Sequence, residues 1–167
     1  PMSQQNKPLV IEQALAAAIK HHQIGQLAEA GDIYRQILEE DPDQPSALHL
    51  LGAIAHQRGE NDIAINLITK ALTIEPDFPA AYNNLGLAFH AFGKPHQALA
   101  SYTKALELKS DYAEAHSNLC DILRATGQLD EAVIHARKAI EIKPDLPEAH
   151  NSLGVALRDM QKVEEAR

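Results

Sequence analysis

Residues 45–78 read PSALHLLGAIAHQRGENDIAINLITKALTIEPDF, and this stretch decides how the rest of the chain is read. Stepping by 34 residues from Pro45, taken as position 1, brings like residues onto one another in both directions. Position 20 is Ala30, Ala64, Ala98, Ala132 and Ala166. Position 7 is Leu51, Leu85, Leu119 and Leu153, followed at position 8 by Gly52, Gly86, Cys120 and Gly154. Position 15 is Gly25, Gly59, Gly93 and Gly127, so seven of the eight glycines fall at two positions. Position 32 is Pro42, Pro76 and Pro144, with Ser110 as the exception, and Asp follows at position 33 in all four cases. Pro45, Pro79 and Pro147 hold position 1, with Ala113 as the exception.

Each recurrence has a backbone reason. Proline at a helix's first position loses no hydrogen bond and fixes a helical φ, so a helix A starts at position 1. Glycine tolerates the left-handed conformation that ends helices, so position 15 stops helix A. A helix B follows, with Pro95 as its first residue in the third repeat. The Pro-Asp pair at positions 32 and 33 ends helix B. A glycine inside a helix costs about 1 kcal/mol relative to Ala. Its return at position 8 predicts a close backbone approach, with the small Ala at position 20 as the expected neighbour. Cys120 predicts a small local shift in the fourth repeat. The fold class is therefore all-α, built from antiparallel helix pairs.

Composition agrees. The chain has 167 residues, 45% of them hydrophobic and 23% charged, the balance of a folded protein. Aromatics are 4% and Trp is absent, which suits an Ala-, Leu- and Ile-filled helical core. The net charge of -8 argues against non-specific nucleic-acid binding and leaves basic peptides or proteins open as partners. A single cysteine, Cys120, excludes an internal disulfide framework and fits a reducing, cytoplasmic setting. No apolar run approaches the roughly 20 residues of a membrane span, and no signal-peptide pattern opens the chain. Pro1 ahead of Met2 reads as a tag scar.

The 34-residue period, Leu51-Gly52 and Leu85-Gly86, Ala64 and Ala98, and Pro42 and Pro76 together resemble the tetratricopeptide repeat. Position 24 (Tyr34, Ile68, Tyr102, Ala136) and position 27 (Ile37, Ala71, Ala105, Ala139) agree. The expected organisation is a tag scar and flexible leader over 1–10, then repeats at 11–44, 45–78, 79–112, 113–146 and a partial 147–167. The first repeat departs most, with Ala17 and Ala18 where Leu and Gly belong, as a capping repeat does. In the fifth, helix B is expected to begin near Val163, which predicts an N-terminal fragment of a longer protein. The resemblance implies a right-handed superhelical solenoid, with helix A lining a concave groove through positions 2, 5, 6, 9, 12 and 13. Positions 3, 4, 7, 8, 10 and 11 form the buried side.

Read along that stripe, the candidate ligand residues are Asn83, Asn84, Leu87, His90, Ser117, Asn118, Asp121, Arg124, Asn151 and Arg158. Amides both donate and accept, so Asn84 and Asn118, one repeat apart, suit an extended peptide backbone. They resemble the asparagine ladder of O-linked N-acetylglucosamine transferase repeats, interrupted by Leu50 and Ser152. Position 12 runs His22, His56, His90, Arg124, Arg158, a series able to meet acidic groups and to respond to pH. The family's carboxylate clamp is disfavoured, since no repeat has Lys at position 2, 5 or 6. His116 and Cys120, at i and i+4, have a spacing that admits two metal ligands. Both sit at packing positions without an evident third ligand, so no metal and no cofactor is expected.

Catalysis finds no support: the glycines are absorbed by the repeat, and Cys120 has no candidate base with an orienting third group. The chain is read as a non-enzymatic protein- or peptide-binding scaffold. Two alternatives stand beside it. The runs Tyr34-Arg35-Gln36-Ile37-Leu38, Asp41-Pro42-Asp43 and Ala47-Leu48-His49-Leu50-Leu51-Gly52 resemble repeats that precede a glycosyltransferase or sulfotransferase domain in bacterial proteins. The chain would then be a substrate-recognition arm. The apolar face around Leu153, Leu157 and Met160 predicts a homodimer or larger self-assembly through the terminal repeat.

Overall fold

The computed structural model of the chain describes residues 7–166. Its regular structure there is helical: α1 (Lys7–Gln23), α2 (Leu27–Glu40), α3 (Pro45–Gln57), α4 (Asn61–Ile74), α5 (Pro79–Ala91), α6 (Pro95–Leu108), α7 (Ala113–Ala125), α8 (Leu129–Ile142) and α9 (Pro147–Glu165). Odd-numbered helices are the helix A of each repeat. From α3 onward every one starts at position 1, and α6 starts at Pro95. α1 starts at Lys7, ahead of residue 11; the rest of the expected leader lies outside the described residues.

The helix ends show how glycine closes each A helix. At Gly59, φ is +80°. Its N–H donates to the His56 carbonyl at 2.9 Å and that of Glu60 to the Ala55 carbonyl at 2.9 Å. This pair of reversed bonds caps the last carbonyls of α3. Gly93 repeats it, with Lys94 N–H reaching the Phe89 carbonyl at 2.8 Å. The fifth repeat has Gln161 at position 15, and there α9 runs on to Glu165. Helix B therefore does not begin near Val163 in the described chain, because the residue that would stop helix A is missing.

The chain divides into two compact halves, Pro1–Pro76 and Asp77–Arg167. In the N-terminal half α1 packs on α2, α2 on α3 and α3 on α4. Tyr34, Ala18, Ala30, Ile37, Ala47 and Ile54 form a buried cluster there, with Leu15 and Leu50 against its edge. In the C-terminal half α5 packs on α6 and α7, α7 on α6, α8 and α9, and α8 on α9. Tyr102, Leu119, Cys120, Ile122, Leu123 and Val133 form its core. Burying a side chain of this size contributes about 1.5–3 kcal/mol.

Position 8 makes the closest approach, but its nearest neighbour is the position-24 side chain more than Ala at position 20. A Cβ added at Gly52 would lie 2.6 Å from Ile68 Cγ1 and 3.2 Å from the Ala64 carbonyl oxygen. One added at Gly86 would lie 2.5 Å from Tyr102 Cε1. The fourth repeat answers its larger Cys120 with the small Ala136, both fully buried. The first repeat sets Ala18 with Tyr34. Size is thus exchanged between positions 8 and 24 in the fourth repeat, while the first holds an alanine beside a tyrosine. At Gly154 nothing lies within 4 Å; Leu157 and Val163 of α9 are exposed, while Leu153 and Met160, expected on an open apolar face, pack against the core.

Candidate functional site

The helix-A stripe of the C-terminal half is carried by α5, α7 and α9, which pack in that order. The 34-residue period puts equivalent positions on neighbouring helices, so position 5 of one A helix meets position 6 of the next. In α5 and α7 position 5 is buried as a result: Asn83 is 5% exposed and Ser117 2%. Asn118 and Leu87 are half-buried, and Asn84 and Asp121 also keep part of their surface.

Polar side chains knit the three helices together. Asn118 Nδ2 donates to Asn83 Oδ1 at 3.0 Å, so the amide ladder runs diagonally, from position 6 back to position 5. One repeat further on the same diagonal joins two hydroxyls, Ser117 Oγ and Ser152 Oγ, 3.5 Å apart. Ser152 Oγ also donates to Asp121 Oδ1 at 2.9 Å. In the N-terminal half the same pair of positions holds Leu15 and Leu50, packed on one core cluster. Within each half, positions 5 and 6 of successive repeats therefore match in kind: Leu with Leu, Asn with Asn, Ser with Ser.

Beside this seam lies a cavity of about 560 Å³. Asn83, Ser117 and Leu146 supply its buried part, and Leu87 and Asn118 its half-buried part. Glu114, Lys143, Asp145, Pro147 and Glu148 complete the lining. Lys143 Nζ lies 3.1 Å from Glu114 Oε1. The volume is in the range of small-molecule and side-chain pockets. Of the ten sequence candidates, Asn83, Leu87, Ser117 and Asn118 line this cavity. The sequence reading does not single out its charged rim, although Glu114 and Glu148 stand at position 2 of the stripe.

The remaining candidates lie apart from it. Arg124 Nη1 pairs with Asp159 Oδ2 at 3.0 Å, across from α7 to α9, which leaves less of its charge for a ligand carboxylate. His90, Asn151 and Arg158 are exposed. In the N-terminal half His56 Nδ1 bonds Asn61 Oδ1 at 2.7 Å. His22 is held below the usual histidine range by burial.

His116 and Cys120 have separate settings. His116 Nε2 donates to the Ser110 carbonyl at 3.0 Å, and its Nδ1 faces His135 Nδ1 at 2.8 Å. His150, also at position 4, reaches the Pro144 carbonyl in the same manner at 2.6 Å. Position-4 histidines therefore tie down the loop at position 32, a link that spacing alone did not reveal. Burial, then Asp121, pushes the Cys120 thiol up to about 11, with Arg124 opposing, so the sulfur stays protonated. Among the described residues no three His, Cys, Asp or Glu gather as a metal group. No described helix is long and apolar enough to cross a membrane.

Comparison with known proteins places this geometry. The TPR repeat family profile matches residues 52–93 and 121–166. A tetratricopeptide repeat profile matches residues 79–112. No curated protein sequence matches the chain. Among solved structures it is similar to MamA, at 27% identity and TM-score 0.73, over 89% of this chain and 87% of that one. It is similar to a mutant of the Thermobaculum terrenum O-GlcNAc transferase, at 26% identity and TM-score 0.79, over 84% of this chain and 27% of that one. A thermophilic TPR protein of Thermus thermophilus shares the fold at 22% identity and TM-score 0.80, over 93% of this chain and 86% of that one. With its family profile matched over more than half its length and its helix pairs in that family's register, the chain belongs to the tetratricopeptide repeat family.

Proposed function

We propose that this chain is a non-catalytic scaffold that binds a protein or peptide segment on the helix-A face of its C-terminal half. The observation that carries the reading is the cavity of about 560 Å³ on that face, with amide and hydroxyl groups beside the half-buried Leu87. Apolar burial supplies affinity there, and Asn118 supplies a hydrogen-bonding group that tolerates any peptide side chain. Nothing in this arrangement supplies a nucleophile with its base: the one thiol is buried and protonated. The test is a peptide-display selection against the chain, with binding mapped by amide chemical shifts. Leu87→Glu is expected to abolish binding while circular dichroism stays unchanged. Binding that survives in a folded Leu87→Glu protein overturns the groove.

A second reading rests on the likeness to the Thermobaculum terrenum O-GlcNAc transferase, of which this chain matches 27%. In that reading the scaffold presents substrates to a transferase domain on the same polypeptide. A third rests on α9, where Leu157 is 42% and Val163 46% exposed. Leu153 and Met160 pack against the core, so this reading rests on the exposed Leu157 and Val163 as the apolar groups that would drive self-association. Concentration-dependent light scattering separates it from a monomeric binder.

A further inference from the structure

The cavity's rim is unbalanced in charge. Glu114 comes from the first turn of α7, Asp145 from the loop before α9 and Glu148 from the first turn of α9. Against these stands one cation, Lys143, bonded to Glu114. Asp145 and Glu148 close no salt bridge among the described residues. The rim thus carries two negative charges beyond those its own lysine neutralises. Inside it, Leu87, Leu146 and Pro147 offer apolar surface, and Asn83 and Ser117 are more than nine-tenths buried.

We propose that this cavity accepts a lysine or arginine side chain of a bound peptide, with an apolar residue beside it. The proposal rests on the reading of this face as a peptide site and names the chemistry it selects. A long basic side chain matches both parts of the lining: its methylene stem lies on Leu87 and Pro147, and its head reaches the carboxylates. An arginine adds a planar fork that pairs with a carboxylate through two bonds. An acidic side chain would have to displace Glu114 from Lys143 and would meet Asp145 and Glu148 as like charges.

Lys143 already reports this field. The hydrogen bond and charge of Glu114 hold its ammonium above the usual lysine range, and Asp145 and Glu148 push the same way. It therefore occupies part of the ground an incoming cation would take. Removing it enlarges the charge excess, so Lys143→Met is expected to tighten binding of a basic peptide. A residue that merely supported the fold would not give that sign. Exposed carboxylates of this kind act more on encounter and selectivity than on total affinity, and salt weakens them.

The experiment is a peptide-display selection on the full chain, followed by fluorescence anisotropy with the best peptide, its citrulline analogue and its glutamate analogue. Expected are sequences with Arg or Lys beside an apolar residue, and amide shifts at Leu87, Asn118 and Leu146. Asp145→Asn with Glu148→Gln is expected to weaken the best peptide about tenfold at low salt, the scale of two exposed ion pairs, and much less at high salt. Lys143→Met is expected to tighten it severalfold. Selected peptides that are neutral or acidic, yet shift the same amides, overturn the basic occupant and leave the groove standing. Shifts confined to other surfaces, or no selected peptide, overturn both.

Discussion

The Nδ1 atoms of His116 on α7 and His135 on α8 lie 2.8 Å apart, with the rings stacked at 5.1 Å. His116 donates its Nε2–H to the Ser110 carbonyl, so in its neutral form its Nδ1 is an acceptor. His135 must then supply the proton between the two rings. One proton order satisfies both bonds, and it requires a neutral His116. Burial lowers the affinity of both for a further proton; the charge of Lys138 lowers it further for His116, and a proton gained by His116 would do the same for His135. The Ser110 carbonyl and Glu131 oppose the effect in part.

The pH dependence follows in sign. Both native-state pKa values lie below the unfolded value of about 6.5, so the unfolded chain takes up protons first as pH falls. The stabilisation is complete above that value and is lost as pH drops through the lowered native pKa values. The melting temperature is expected to decline from pH 7.5 to pH 5 (roughly one unit or more either side of the unfolded pKa). His135→Gln is expected to decline less steeply, with a remainder from His22, which is also lowered by burial. Equal slopes for the two proteins would remove the pair as the cause.

Gly86→Ala tests the exchange of size between positions 8 and 24. Its new Cβ would sit 2.5 Å from the Tyr102 ring, whose displacement is expected to cost about 1–3 kcal/mol. The fourth repeat shows the remedy, Cys120 with Ala136. Gly86→Cys combined with Tyr102→Ala should therefore unfold at lower denaturant than the parent, yet show a favourable coupling energy in a double-mutant cycle.

Asn118→Ala removes the donor to the buried Asn83 carbonyl oxygen. Leaving a buried polar atom unpaired costs about 1–3 kcal/mol, measurable by urea unfolding. The pair Asn83→Leu with Asn118→Leu is expected to recover most of that loss. The N-terminal half already uses Leu15 and Leu50 at these positions.

The helical register was legible because it rests on residues with strong backbone effects. Pro79 and Pro147 begin helices at position 1, and Gly59 and Gly93 end them in the left-handed region. These effects are local, so a single sequence displays them. The site was legible only as a stripe. That Asn118 bonds Asn83 rather than Asn84 depends on how far one A helix slides past the next, which the 34-residue period does not specify. The cavity's rim draws on one loop and two helix starts, and no periodicity links Lys143 to Glu114. The position-24 neighbour of Gly86 was missed for the opposite reason. Helical repetition pointed to small residues facing each other, whereas a glycine leaves room for the ring of Tyr102.

The tyrosine hydroxyls give a further measurement. Tyr34 and Tyr102 are fully buried, and neither hydroxyl finds a partner among the described residues. Burial pushes the Tyr34 hydroxyl up to about 12, and it raises Tyr102 as well, with Asp121 adding to the latter. Both stay neutral at any working pH. An unpaired buried hydroxyl is a cost, so Tyr102→Phe is expected to be neutral or to stabilise by up to about 1 kcal/mol in chemical denaturation. A loss of stability would show that the hydroxyl is bonded in solution.

The end of α9 gives the last test. Every earlier A helix stops at a glycine in position 15, and α9, with Gln161 there, continues to Glu165. Val163 and Ala166 nevertheless keep the register of a helix B, with Ala166 at the recurrent position 20. Gln161→Gly is expected to end the helix near Met160, since glycine in a helix interior costs about 1 kcal/mol and also favours the reversed turn. Carbon chemical shifts of residues 161–165 should move from helical values, and their amides should exchange faster, while α7 and α8 remain protected. Helical shifts that persist through Glu164 would mean that position 15 does not by itself decide where an A helix ends, and that packing of the following helix B supplies the stop in the other repeats.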